Sequence, residues 1–179
     1  KLLIPELIKR GFSIHIFAAN DALYDEKWAD YDNLYFHPIP LERSYTSWYS
    51  DLRVLFILWL SCLSHNPRYI HSFNPKPGII VSLLSLLYPF TRYLIGVTGL
   101  GNTFIRLSRF NRYLIYPFFL FQSVIAYRVF FQNPFDKSLF QSRFFLSPSK
   151  SLFFPGPGVD TGTFTPCTDQ LPHFPPLKV

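Results

Sequence analysis

A histidine, an asparagine and a lysine lie close together in segment 71–78, where a strand is expected to give way to a helix. His71, Asn74 and Lys76 bring an imidazole, an amide and an ammonium group to this junction. The first turn of a helix presents unpaired N–H groups and partial positive charge, and Lys76 adds a full charge. We interpret the segment as a site for an anionic group. The alternative, which spacing alone favours, is that the Pro-Lys-Pro-Gly run only starts a helix and that His71 is an ordinary strand residue.

A glycine-bearing loop follows the next expected strand. Gly99 and Gly101, after Thr98, allow a ligand to approach the backbone closely. A dinucleotide fingerprint would need a third glycine where Phe104 stands, so the pattern excludes a nicotinamide site. A tight turn with positive φ explains the two glycines equally well.

These residues need a scaffold that brings strand ends together. Short β-rich runs alternate with longer helical runs, and this predicts parallel strands joined by helical crossovers. The predicted fold class is α/β, a Rossmann-like doubly wound sheet covered on both faces, in which ligands bind beyond the carboxyl ends of the strands. The predicted strands are 13–19, 34–38, 68–72, 93–98, 128–132 and 151–154. The predicted longer helices are 47–64, 78–87, 110–127, with a kink near Pro117, and 135–145.

The chain length allows one domain of this kind. A chain of 179 residues can bury one core but not the cores of two similar domains. We assign residues 1–160 to the domain and the proline-rich residues 161–179 to a hinge. The first helix ends at Gly11 and leads directly into a strand, as in the second half of a βαβ unit. A partner strand is therefore expected before Lys1.

The composition of the chain limits the kinds of partner that it is expected to bind. A net charge of +6 and a pI near 9.4 favour an anionic partner such as a phosphorylated ligand or a lipid surface. Nucleic acid is not expected, because the sequence has neither a known binding module nor a dense basic stripe. Cys62 and Cys167 are far apart and in no metal-like spacing. We therefore predict no metal site, and reduced thiols in a cytoplasmic protein.

Two uncharged runs, 78–91 and 113–127, are shorter than the roughly 18 to 20 residues that a membrane-spanning helix needs. A helix lying in the membrane interface is still compatible with the sequence, because Arg106, Arg109 and Arg112 recur every three residues among aromatic and aliphatic side chains. A solvated basic face on a surface helix explains the same series equally well.

In combination, these segments resemble the N-terminal domain of family 4 glycosyltransferases of the GT-B type. The resemblance is strongest to the branch that builds polyprenyl-linked bacterial glycans, O-antigen and capsule units. It covers nearly the whole chain, and its matches occur in the order that the family has. The matching segments are 7–12, 41–44, 70–78, 97–101, 131–136 and 155–166.

The resemblance implies retaining transfer of a sugar from a nucleotide sugar, expected to be UDP-linked, to a polyprenyl-diphosphate-linked glycan at the inner face of the membrane. This chain would form the acceptor side of the cleft. The donor domain is expected beyond Val179, so the chain alone is expected to be inactive, with no cofactor besides the donor substrate. Two alternatives remain: a noncatalytic module that binds phosphorylated sugars or anionic lipid, and a GT-B enzyme of an inverting family.

The resemblance also assigns roles to residues. His71 matches the first histidine of a His-x-His pattern at a strand end and is the candidate catalytic residue, although Phe73 replaces the second histidine. At the hinge, Gly156-Pro157-Gly158 replaces a Gly-Ser-Gly run, which should stiffen the connection. The candidate substrate-binding residues, from the acceptor loop and the strand-end loops, are Arg43, Ser44, Asn74, Lys76, Thr98, Gly99, Gly101 and Asn133.

Overall fold

A computed structural model describes residues 3–19, 31–42, 48–100, 109–156 and 158, with residues 109–115 described by their backbone. Helices and strands alternate along nearly all of this length. In chain order the elements are α1 (Leu3–Lys9), β1 (Ile14–Ala18), β2 (Leu34–Pro38), α2 (Trp48–His65), β3 (Tyr69–Phe73), α3 (Pro75–Leu87), β4 (Arg92–Val97), α4 (Arg109–Ile125), β5 (Arg128–Phe131), α5 (Pro134–Arg143), a 3₁₀ turn (Pro148–Lys150) and β6 (Ser151–Phe153).

Every pair of neighbouring strands is parallel. β1 and β2 form a two-stranded sheet, and the other four strands form a sheet in the order β3-β4-β5-β6. Helices α3, α4 and α5 lie between successive strands of the four-stranded sheet and supply the crossovers that parallel pairing requires. The prediction of a Rossmann-like α/β fold is confirmed, and each predicted strand agrees with the structure to within about a residue at either end. A further strand before Lys1 stays a prediction.

Phenylalanine rings form the main core, which lies between the four-stranded sheet and helices α4 and α5. Phe131 of β5 and Phe140 of α5 are fully buried, and their ring centroids lie 5.2 Å apart. The Phe140 ring also lies 4.9 Å from that of Phe144 and 5.5 Å from that of Phe119 on α4. Edge-to-face pairs of this kind add to the stability that burial of the rings provides. Several of the 21 phenylalanines of the sequence therefore belong to this core.

Helices α2 and α3 connect the two sheets. Val54 of α2 and Ile80 of α3 are buried with Ile39, which follows β2, and Phe17 of β1 packs against them. On the other side, Cys62 of α2 packs with Leu84 of α3 and Tyr93 of β4, all of them buried. Both sheets thus pack against one continuous helical layer.

The second face of the four-stranded sheet is less covered. The register aligns Phe73 with Gly96, Phe130 and Leu152 across the four strands, so these residues lie on one face. Phe73 and Leu152 are 50% and 41% exposed. The core residues Ile95, Val97 and Phe131 lie on the opposite face, against the helices. The prediction that helices also cover the second face of the sheet stays a prediction.

One predicted boundary was wrong. Helix α3 begins at Pro75, not near Gly78, so residues 75–78 form its first turn. Proline suits this position, because its φ is already helical and the first turn leaves its N–H groups unpaired in any case. The Pro-Lys-Pro-Gly run is therefore helical, and Lys76 projects from the first turn of the helix.

Replacing Phe140 with alanine tests the aromatic core. The substitution removes a fully buried ring that contacts three others, so we expect the free energy of unfolding to fall by about 3–5 kcal/mol in urea titrations. Phe135→Ala is the matched control, because Phe135 lies on the same helix and is 71% exposed. A similar loss of stability in both variants would contradict this description of the core.

Candidate functional site

Asn74 joins β3 to α3 with an unusual backbone conformation. Its φ of 74° and ψ of 156° fall in a region that is almost exclusive to glycine, which costs of order 1–3 kcal/mol. The Asn74 N–H donates to the Gly96 carbonyl at 3.0 Å, and the Thr98 hydroxyl donates to the Asn74 side-chain oxygen. Asn74 therefore connects the carboxyl ends of β3 and β4 by its backbone and its side chain, and that side chain stays exposed.

His71 lies on the less covered face of the sheet, beside two aromatic rings. Its ring centroid is 4.1 Å from that of Phe73 and 5.4 Å from that of Phe130. Gly96 lies beside these rings, and a Cβ added there would be 3.3 Å from the Phe73 ring and 3.0 Å from the Ser72 carbonyl oxygen. The absence of a side chain at Gly96 thus makes room for the rings of Phe73 and His71 over β4.

Apolar packing sets the protonation state of His71. Burial against its surroundings lowers the pKa of His71 from 6.5 to about 4, although the residue keeps an exposed side. At neutral pH the imidazole is therefore uncharged. It can accept or donate a hydrogen bond and can take up a proton, but it does not supply a positive charge to a diphosphate.

Lys76 is turned inward, which differs from its predicted role. It is 7% exposed, and its ammonium nitrogen lies 2.8 Å from a carboxylate oxygen of Asp51 and 2.9 Å from the carbonyl oxygen of Glu42. The charge expected to receive a substrate anion is thus paired within the fold. Lys76 instead connects the first turns of α3 and α2 with the segment that follows β2.

Asp136 anchors the loop that follows β4. The Leu100 N–H donates to its carboxylate at 3.0 Å, and Asp136 is 2% exposed in the first turn of α5. A carboxylate is favourable there, since the start of a helix carries partial positive charge. The loop that contains Thr98 and Gly99 is therefore fixed at Leu100 by this hydrogen bond. An acidic residue in the first turn after an Asn-Pro start is a visible signal for such a contact.

Asn133 caps a helix. Its side-chain oxygen accepts a hydrogen bond from the Phe135 N–H at 2.8 Å, which satisfies one of the unpaired donors at the start of α5. This contact gives Asn133 a structural role. The prediction that its side chain also binds substrate stays a prediction, because the residue is exposed and its amide NH₂ group takes no part in this bond.

The structure thus brings part of the predicted set together. Asn74, Thr98 and Gly99 adjoin at the carboxyl ends of β3 and β4, and His71 lies on β3 beside Gly96. The hinge positions 159–179 and four predicted contact residues fall outside the described residues. These four are Arg43, Ser44, Gly101 and Arg106. For Arg109 and Arg112 the structure describes a helical backbone.

Helix α2 carries a large exposed apolar face that sequence reasoning missed. Its exposed residues recur at intervals of three and four and so share one side of the helix. They include Trp48 at 69% and Phe56 at 55% exposure. The full set is Trp48, Tyr49, Leu52, Phe56, Leu60 and Leu63. No helix in the described ranges is long and apolar enough to cross a bilayer.

A scan of protein-family models and a search of curated proteins found no match to this chain. The resemblance to family 4 glycosyltransferases therefore rests only on the motifs and their order in the sequence.

The His71 ring gives a direct test of the site. We expect its proton resonances to titrate near pH 4 in NMR spectra of the folded protein. Because the folded pKa lies below the unfolded value, His71 contributes stability that is fully present above pH 6.5 and is lost as the pH falls towards 4. His71→Gln should remove this part of the acid sensitivity. A titration midpoint of 6.5 would show that the apolar packing does not control the ring.

Proposed function

We propose that this chain forms the acceptor-side half of a retaining glycosyltransferase. The donor would be a nucleotide sugar, expected to be UDP-linked, and the acceptor a polyprenyl-diphosphate-linked glycan. The observation that carries the proposal is the group formed by Asn74, which is exposed, with Thr98 and Gly99, which are partly exposed, at the carboxyl ends of two adjacent parallel strands. Ligands of doubly wound folds bind at this edge.

The chemistry of these residues suits a hydroxyl-bearing acceptor. An uncharged imidazole can orient a sugar hydroxyl or accept its proton, and Thr98 and Asn74 offer a hydroxyl and an amide within one hydrogen-bonded pair. Space is open around Gly99, where an added Cβ would meet nothing within 4 Å. With Lys76 paired inside the fold, the charge of a nucleotide diphosphate would be neutralised mainly by a donor domain.

The strained backbone at Asn74 supports a functional role for this junction. Glycine would adopt the same φ without the side-chain clash, yet the chain has asparagine, whose side chain is the partner of Thr98. Strain of this kind persists where surrounding contacts hold it, and it is commonly found at binding sites.

A lipid-linked acceptor requires a membrane surface close to the site. The exposed apolar face of α2 carries rings and aliphatic side chains, together with the exposed Arg53. Side chains of these types pack at the depth of lipid headgroups. Helix α2 begins shortly after segment 41–44, which the resemblance places near the acceptor. We therefore propose that α2 lies against the inner face of the membrane, with the arginine series near α4 as a second contact.

Transfer assays on a protein that joins this domain to a donor domain would test the function. We expect Asn74→Gly to lower the rate of sugar transfer by about tenfold or more, because Thr98 loses its partner, while the free energy of unfolding stays equal or rises as backbone strain is relieved. His71→Gln should also slow transfer to the acceptor more than it weakens donor binding.

Asn33→Gly is the matched control for this test. Asn33 also has a positive φ, 67°, but it precedes β2 at the opposite end of the strands. Its replacement should change stability in the same direction and leave transfer intact. Acceptor binding without turnover of any nucleotide sugar would instead select the noncatalytic binding module, and unchanged transfer in Asn74→Gly and His71→Gln would remove both residues from the site.

Vesicle co-sedimentation can separate the two proposed membrane contacts. We expect Phe56→Ser with Leu60→Ser to reduce binding at high salt, because apolar contacts do not depend on ionic screening. Replacing Arg106, Arg109 and Arg112 should remove the salt-dependent part, about 1 kcal/mol for each arginine. Phe135→Ser, also at an exposed ring, is the control. Equal binding by all variants would leave the apolar face of α2 without a role at the membrane.

A further inference from the structure

Three histidines from three different elements meet on one side of the two-stranded sheet. His15 lies on β1, His37 lies on β2, and His65 is the last residue of α2. One ring nitrogen from each lies within 4.8 Å of the other two. The closest pair is His15 Nδ1 and His37 Nε2, which are 2.9 Å apart.

The fold explains this meeting. The parallel register pairs His15 with Tyr35 and Phe17 with His37, so the two histidines are diagonal neighbours on one face. Helix α2 contributes Val54 to the cluster against which Phe17 packs on this face, and its last residue brings the His65 ring to 4.1 Å from the His15 ring. Stacking of Tyr35 on His15 and of Phe17 on His37 holds both strand histidines in place.

We propose that His15, His37 and His65 form a binding site for a divalent transition-metal ion of the zinc class. Imidazole nitrogen is a preferred ligand of such ions. Two nitrogens that bind one zinc ion at about 2.1 Å in tetrahedral geometry are about 3.4 Å apart, close to the observed separation of His15 and His37. His65 is exposed, so its ring has room to turn towards the other two. Water or another ligand would complete the coordination.

The end of α2 favours a cation at this place. His65 is the last residue of the helix, where the last carbonyl groups carry partial negative charge.

A simple hydrogen bond between His15 and His37 is the competing explanation. The 2.9 Å separation suits an N–H donor and a nitrogen acceptor equally well. In that case His65 would be a neighbour without a ligand role. The two explanations therefore differ in what the removal of His65 does to metal binding.

The site is separate from the proposed acceptor site and does not depend on it. The three histidines meet beside the two-stranded sheet, which carries His15 and His37, whereas His71 lies on the four-stranded sheet. A bound ion would fasten the end of α2 to both strands of the smaller sheet. Binding to the folded state alone would raise its thermal stability in proportion to the logarithm of the metal concentration.

Titration of the untagged 179-residue chain with Zn²⁺ and Co²⁺ tests the proposal. We expect one ion per chain with a dissociation constant of about 10 µM or lower for Zn²⁺, a visible Co²⁺ absorption band and a raised melting temperature. X-ray absorption should show imidazole nitrogens at about 2.0–2.1 Å. Mg²⁺ should produce none of these changes, because it prefers oxygen ligands.

His65→Ala should weaken Zn²⁺ binding by about tenfold or more. The residue is exposed, so we expect the metal-free melting temperature to stay close to that of the parent. His71→Gln removes an imidazole from the larger sheet and should keep full affinity. Equal affinity in the parent and in His65→Ala, or fewer than three imidazole ligands in the parent by X-ray absorption, would overturn the three-histidine site.

Discussion

One ion pair, in which Lys76 is buried and Asp51 is partly exposed, links the starts of the two helices that pack against both sheets. Taking an ammonium group out of water costs several kcal/mol unless a partner compensates it. Lys76 meets this requirement with Asp51 and the Glu42 carbonyl, so it joins the starts of two helices to the segment that follows the smaller sheet. Burying this charge requires α2 and α3 to begin side by side, which places the shared helical layer against both sheets.

The same pair lies at one side of the proposed acceptor site, and a second buried charge, that of Asp136, lies at the other. Asn74 immediately precedes the turn that Lys76 anchors, and the loop after Thr98 ends where Asp136 binds the Leu100 N–H. An asparagine held at positive φ needs such support, because a free chain would relax to a more populated conformation. The exposed groups are thus presented by a backbone that is restrained at both ends.

The strands could be predicted from the sequence because β-rich runs, prolines and glycines mark them locally. The direction in which a polar side chain points could not be predicted from the sequence. Lys76 and Asn133 stand where ligand-binding residues are expected, but tertiary packing turned one inward and made the other a helix cap. The histidines at 15, 37 and 65 show no pattern along the chain, since strand register and helix packing bring them together. The apolar sequence of α2 did not reveal which of its sides stays exposed.

The division into two sheets has a consequence for the behaviour of the protein in solution. Among the described strands, β1, β2, β3 and β6 each have one hydrogen-bonded neighbour, so each has one edge with which no other described strand pairs. Such edges can pair with another copy of the chain and lead to aggregation. Pro38 at the end of β2 blocks one position for this pairing. The net charge of +6 keeps copies apart at low ionic strength, whereas added salt screens this repulsion and favours self-association.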